Sequence, residues 1–213
     1  MGRQGFRELD LEVTADVLIP RPETELVIEM TLEVLDAGPQ RLADLGTGSG
    51  AIALALANAR PEWRLIATDR SPAALEVARR NVSATGLGRQ VRLIESDWYT
   101  GLDASDMPLD TIVSNPPYVA ANDPHLEHGD IRFEPEIALA SSPDGLWHLR
   151  ALVESARSKL SDDGWLLLEH GYDQAAAVRE LFRVNGYENI ESRRDLAGIE
   201  RVTGGRLVTS EWK

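Results

Sequence analysis

From residue 41 to about residue 190, short apolar runs alternate with longer stretches of helical periodicity. Strand followed by helix, repeated, leads to a mainly parallel sheet, because parallel neighbours need a crossover element between them. The predicted strands are RLADLG (41–46), RLIATD (64–69), QVRLIESD (90–97), LDTIVSN (109–115) and GWLLLEHG (164–171). The predicted helices are SGAIALALANAR (49–60), SPAALEVARRNVSATG (71–86), GLWHLRALVESARSKL (145–160) and DQAAAVRELFRVNG (173–186). The second of these carries complete end signals, with Ser71 as cap, Pro72 at the first helical position and Gly86 beyond the last. Two strand-like runs within 189–210 have no helix between them and read as an antiparallel pair closing the sheet. Ahead of the sheet, residues 6–20 read as a short hairpin and 22–38 as an amphipathic helix. The expectation is one domain, with residues 1–40 as hairpin and helix and 41–213 as the α/β core.

Composition narrows the function. A hydrophobic share of 43% fills a sizeable core, and the absence of cysteine excludes disulfides, thiolate nucleophiles and cysteine-bound zinc. A formal net charge of −13, with scattered arginines, argues against nucleic acid as a partner, since phosphate neutralisation dominates that binding. No apolar run approaches the roughly 20 residues of a membrane helix, and the first residues lack a signal-peptide core. A cytoplasmic monomer with no membrane contact is expected.

Asp44 to Gly50, DLGTGSG, joins the first strand to the first helix of the core. Its glycines allow a sharp turn and close approach of a ligand beside a helix N-terminus. Asp69 ends the second strand about 20 residues on, where an acidic side chain accepts ribose hydroxyls. Asp97 and Trp98 end the third strand, offering an acceptor for an adenine amino group and an indole for its ring face. A phosphate-binding G-K-[ST] signature is missing, so the nucleoside expected here carries no phosphates. This set resembles the seven-stranded, Rossmann-like class I S-adenosylmethionine-dependent methyltransferases. The resemblance implies that Gly46, Thr47, Gly48, Ser49 and Gly50 lie against the methionine part, Asp69 against the ribose, and Asp97 and Trp98 around the adenine.

The fourth strand ends in SNPPYV, residues 114–119. With a methyl donor beside it, Asn115 completes both the cofactor site and the substrate site. A planar NH2 group attacks poorly because its lone pair is delocalised. The Asn115 side-chain oxygen and the Pro116 carbonyl can take its two hydrogens, aim the nitrogen and favour a pyramidal transition state. Pro116 and Pro117 fix the turn without a competing donor, and the Tyr118 ring can pack on the substrate. The turn therefore selects a planar amine, which covers a glutamine amide, adenine or cytosine.

VLIPRPETE (17–25) and GDIRFEP (129–135), with LLLEHG (166–171) and ERVTGGR (200–206), resemble the protein-glutamine methyltransferases that modify bacterial peptide chain release factors. That resemblance runs from about Phe6 to Leu207. It implies transfer to the glutamine of a Gly-Gly-Gln motif, and it places Arg21 and Thr24 in the substrate channel. Family members usually carry a helical domain ahead of the catalytic part, whereas here PRPETE comes within 25 residues of the start. The alternatives are another protein glutamine, as on a ribosomal protein, an exocyclic amine of DNA or RNA, or a cofactor-binding module without catalysis. His125 and His128 in the long irregular stretch 120–145 are not read as metal ligands, because convergent ligands with supporting partners are lacking. His170 is expected to be a satisfied histidine at a strand end.

Overall fold

A computed structural model describes residues 2–118 and 145–208. The stretch 120–144, with GDIRFEP, His125 and His128, lies outside the described residues. A hairpin of β1 (Gly2–Phe6) and β2 (Leu9–Val13) leads through a 3-10 turn, Pro22–Thr24, into α1 (Glu25–Val34). The core then runs β3 (Arg41–Leu45), α2 (Ala51–Ala59), β4 (Arg64–Asp69), α3 (Pro72–Thr85), β5 (Val91–Glu95) and β6 (Leu109–Ser114). It continues with α4 (Trp147–Ala156), β7 (Leu160–Glu169), α5 (Ala175–Val184), β8 (Tyr187–Arg194) and β9 (Glu200–Leu207). Seven strands form one sheet in the order β5-β4-β3-β6-β7-β9-β8, with every pair parallel up to β7 and β9 antiparallel to both its neighbours.

Alternation along each strand sends side chains to opposite faces. Leu42, Val113 and Leu167 join a core with α1, α2 and the hairpin, while Ala43, Ile112 and Leu166 join another with α4 and α5. Both faces of the central strands β3, β4 and β6 are covered, so these strands are mainly buried and apolar, whereas the edge strand β8 is polar. At Gly204 and Gly205 in β9, an added Cβ would stand 2.6 Å from Met30 of α1 and 2.5 Å from Phe182 of α5. The two glycines let helices close on the sheet from either side.

Two boundaries differ from the sequence reading. The helix expected to reach Leu160 ends at Ala156, because Lys159 and Leu160 already pair with Leu109 of β6. The hairpin starts at Gly2, not Phe6; β1 is largely exposed, and without a buried face it leaves no apolar alternation to read. Among the described residues no helix is long and apolar enough to cross a membrane.

Candidate active site

The strand order reverses direction between β3 and β6. From β3 the chain builds outward through β4 and β5, and from β6 it builds the other way. Helices crossing to opposite faces leave a crevice at the carboxyl ends of these two strands. A cavity lies there, lined by the glycine loop, Asp69, Asp97, Trp98 and Asn115.

The loop explains its own spacing. Gly46, Gly48 and Gly50 have φ of 73°, 55° and 86°, so every second residue takes a left-handed conformation that favours glycine. The amides of Gly46 and Thr47 donate to the Thr68 carbonyl at 2.9 and 2.8 Å, and the Gly48 amide donates to Asp69 Oδ2 at 2.9 Å. Asp69 Oδ1 accepts from the Ser71 amide at 2.9 Å, at the start of α3. Each Asp69 oxygen keeps a second lone pair, enough for two vicinal hydroxyls. Asp44 lies fully buried under the loop, accepting from Thr47 Oγ1 at 2.6 Å and from the Ala53 amide.

Asn115 follows β6 directly, and its Nδ2 donates to Thr24 Oγ1 at 3.2 Å. Thr24 reaches this point because Pro22 holds Arg21 extended and starts the 3-10 turn, which buries Thr24. Asn115, Pro117 and Thr24 line the cavity; Pro116, Tyr118, Arg21 and Gly50 are not among its lining residues. Tyr118 instead donates its hydroxyl to Glu169 Oε1 at 3.2 Å, and its carbonyl accepts from Gln174 Nε2 at 3.0 Å.

A family model of the methyltransferase small domain matches residues 24–130. The release factor glutamine methyltransferase of Burkholderia pseudomallei (strain K96243) is 51% identical over 97% of this chain and 74% of its own length. That of Xylella fastidiosa (strain Temecula1 / ATCC 700964) is 52% identical with the same coverage. The chain belongs to the release factor glutamine methyltransferases. A solved release factor-specific protein-(glutamine-N5) methyltransferase from Alicyclobacillus acidocaldarius superposes with a TM-score of 0.53 at 29% identity, covering 93% of this chain and 99% of that one. The methyl donor of this methyltransferase is S-adenosylmethionine. The cavity fits that donor: Asp69 offers acceptors for a diol, the Trp98 indole a flat wall, and Val17, Leu18 and Ile52 an apolar lining.

Sequence reasoning missed three residues of this methyltransferase site. His148, at the start of α4, meets the Trp98 ring edge-on at 5.4 Å and lines the cavity; burial, helped by the Arg70 charge, lowers its pKa. Asn81 of α3 exchanges hydrogen bonds with the Glu12 backbone at 2.7 and 3.0 Å and donates to the Ser49 carbonyl at 2.9 Å. One amide thus ties the hairpin to the glycine loop, placing Val17 and Leu18 over the cavity. Glu169, at the end of β7, is 1% exposed beneath the Asn115 turn. A lone polar residue amid apolar neighbours was the available signal for Glu169. His170 is buried and satisfied, with Nε2 2.8 Å from Thr203 Oγ1 and Nδ1 3.0 Å from the Gly171 carbonyl oxygen.

Burial pushes Asp44 and Glu169 up to about 7. Both ionise at about pH 4 in an unfolded chain. The folded state therefore holds protons that the unfolded state has lost. Their contribution to stability is complete below about pH 4 and disappears as pH rises through about 7. Glu169→Gln removes one such titration. Its thermal midpoint relative to wild type should be more favourable at pH 8 than at pH 5, as read by calorimetry. An equal difference at both values would show that Glu169 ionises normally.

Proposed function

We propose that this methyltransferase modifies the side-chain amide nitrogen of the glutamine in the Gly-Gly-Gln motif of peptide chain release factors. The observation that carries the reading is the Asn115 amide at the cavity wall. Its NH2 side is held by Thr24, so its carbonyl oxygen faces the space where a planar amine would enter. When bound, S-adenosylmethionine supplies an electrophilic methyl on a sulfonium. Gly46, Thr47, Gly48 and Ser49 hold its methionine part, Asp69 its ribose, and Asp97 and Trp98 its adenine. Asn115 Oδ1 and the Pro116 carbonyl accept the two amide hydrogens and orient the nitrogen. Pro117 and Thr24 shape the entrance, and Arg21 stands before it. Tyr118 supports the turn from behind through Glu169. No general base is needed, because the proton leaves after the methyl has arrived.

The relatives support a release factor as substrate, and the charge of −13 disfavours nucleic acid. The protein acts as a cytoplasmic monomer, where release factors work. Incubation with labelled cofactor and purified release factors, followed by mass spectrometry, tests this. Label on the motif glutamine is expected. Label on a ribosomal protein or a nucleobase, with none on release factor, would overturn it.

A further inference from the structure

Asn115 and the Pro116 carbonyl can aim a substrate nitrogen only if the turn that carries them stays still. The sheet holds one end of that turn. Ser114 pairs with Leu45 of β3 and Leu168 of β7, and its hydroxyl donates to the Leu45 carbonyl at 2.6 Å. Pro116 and Pro117 then lock two successive φ angles, and each proline also restricts the residue before it. Residues 115–117 therefore form a stiff rod, and a shift at its far end is passed back to Asn115. That far end is Tyr118. The side chain of Gln174, which is buried, takes the Tyr118 carbonyl, with Nε2 donating to it at 3.0 Å.

The Gln174 amide has one workable orientation. A carbonyl oxygen only accepts and a backbone amide only donates. Nε2 must face the Tyr118 carbonyl, and Oε1 must face the Gly171 amide, which donates to it at 2.8 Å. The residue itself is fixed, since it caps the start of α5 and its own carbonyl accepts from the Val178 amide at 2.9 Å. Two backbone segments close over the side chain. A Cβ added at Gly145 would stand 2.4 Å from Nε2 and 2.5 Å from the Tyr118 carbonyl oxygen, and one at Gly171 would stand 3.1 Å from Oε1. Such close packing keeps water from the bond and strengthens it. Gln174 is not among the residues lining the cavity, so it reaches the reaction only through the turn. We infer that Gln174 clamps the Tyr118 carbonyl, sets the aim of Asn115 and Pro116 through the rigid proline pair, and is a positioning residue for methyl transfer. The inference rests on reading Asn115 and the Pro116 carbonyl as acceptors of the substrate hydrogens.

Single-turnover transfer to purified release factor at pH 8, with cofactor and substrate saturating, tests the clamp. Gln174→Met fills the same space without a donor. It should slow transfer by about tenfold, within the range of coupled neighbours, while calorimetric cofactor affinity and the KM for release factor change less than about twofold. Gln174→Glu keeps an acceptor for the Gly171 amide but loses the donor to Tyr118, and it should be slowed at least as much. In an Asn115→Ala background the nitrogen is already poorly aimed, so Gln174→Met should add less than about threefold. A normal rate in Gln174→Met would overturn the inference. So would losses of equal size in both backgrounds, or a matching loss of cofactor affinity, because a general packing defect is additive and spreads over the site. A normal rate in Gln174→Glu would also overturn it, by assigning the effect to the Gly171 bond. Where Gln174→Met fails to fold, Gln174→Glu decides alone in both backgrounds. Normal transfer by Asn115→Ala itself would instead overturn the reading of Asn115 on which the clamp rests.

Discussion

Asn115→Ala lowers the rate of methyl transfer by about 10²-fold or more, comparable to deleting one positioned transition-state partner at roughly 2.7–4 kcal/mol. Under the proposed function the substitution leaves a planar amine without the acceptor that orients it, while the proposed cofactor contacts, Asp69 and the glycine loop, stay in place. Cofactor affinity should therefore change little. The fold should survive too: the hydrogen bond from Nδ2 to Thr24 is worth about 1 kcal/mol. In a chain of this size that lowers the thermal midpoint by about 2–4 °C. Asn115→Asp separates geometry from charge. An acceptor oxygen remains, but the side chain no longer donates to Thr24. Its negative charge would also stabilise the sulfonium in the ground state. Its rate should fall between alanine and wild type. Near-normal single-turnover transfer in the alanine variant would reduce the NPPY segment to a structural turn.

Asp69→Ala should weaken binding of S-adenosylmethionine and of its demethylated product by about tenfold to 10²-fold, since a hydrogen bond to a charged group contributes roughly 1.5–3 kcal/mol. The structure makes this residue matter twice. Its carboxylate faces the cavity, and it also holds the Gly48 and Ser71 amides at 2.9 Å. Alanine thus removes the ribose acceptor and loosens the loop in one step. Asp69→Asn keeps one acceptor oxygen but turns an NH2 toward a backbone donor, so its affinity should lie between the two. Titration calorimetry reads all three proteins. Unchanged affinity in the alanine variant would remove Asp69 from the ribose site.

Much of this architecture was legible in the chain because local and tertiary demands agree. RLIATD has the residue pattern of a strand covered on both faces, and β4 occupies those six residues. Ser71 caps α3 by accepting from the Ala74 amide, and Gly86 ends it at φ 73°. Local signals were weaker where a distant partner decides the outcome. The end of α4 depends on Lys159 and Leu160 being drawn into pairing with Leu109, some 50 residues earlier.

The sequence alone determined the succession of core strands and helices and the side chains at the strand ends, because strand alternation, capping residues and glycine spacing are local properties of the chain; the strand order and its reversal point came only with the tertiary structure. Tertiary structure decided what surrounds them. Asn81 reaches Glu12 across 69 positions and Ser49 across 32, and no periodicity marks an amide as a clamp. Tyr118 reads as a substrate platform in the sequence, yet the fold turns its hydroxyl to Glu169, 51 residues on. Glu169 itself reads as a polar residue ending an apolar strand. Only the closure of the fold around the ends of β6 and β7 buries that carboxylate against the Tyr118 hydroxyl. Burial makes its one hydrogen bond from Tyr118 stronger than an exposed carboxylate's would be in water.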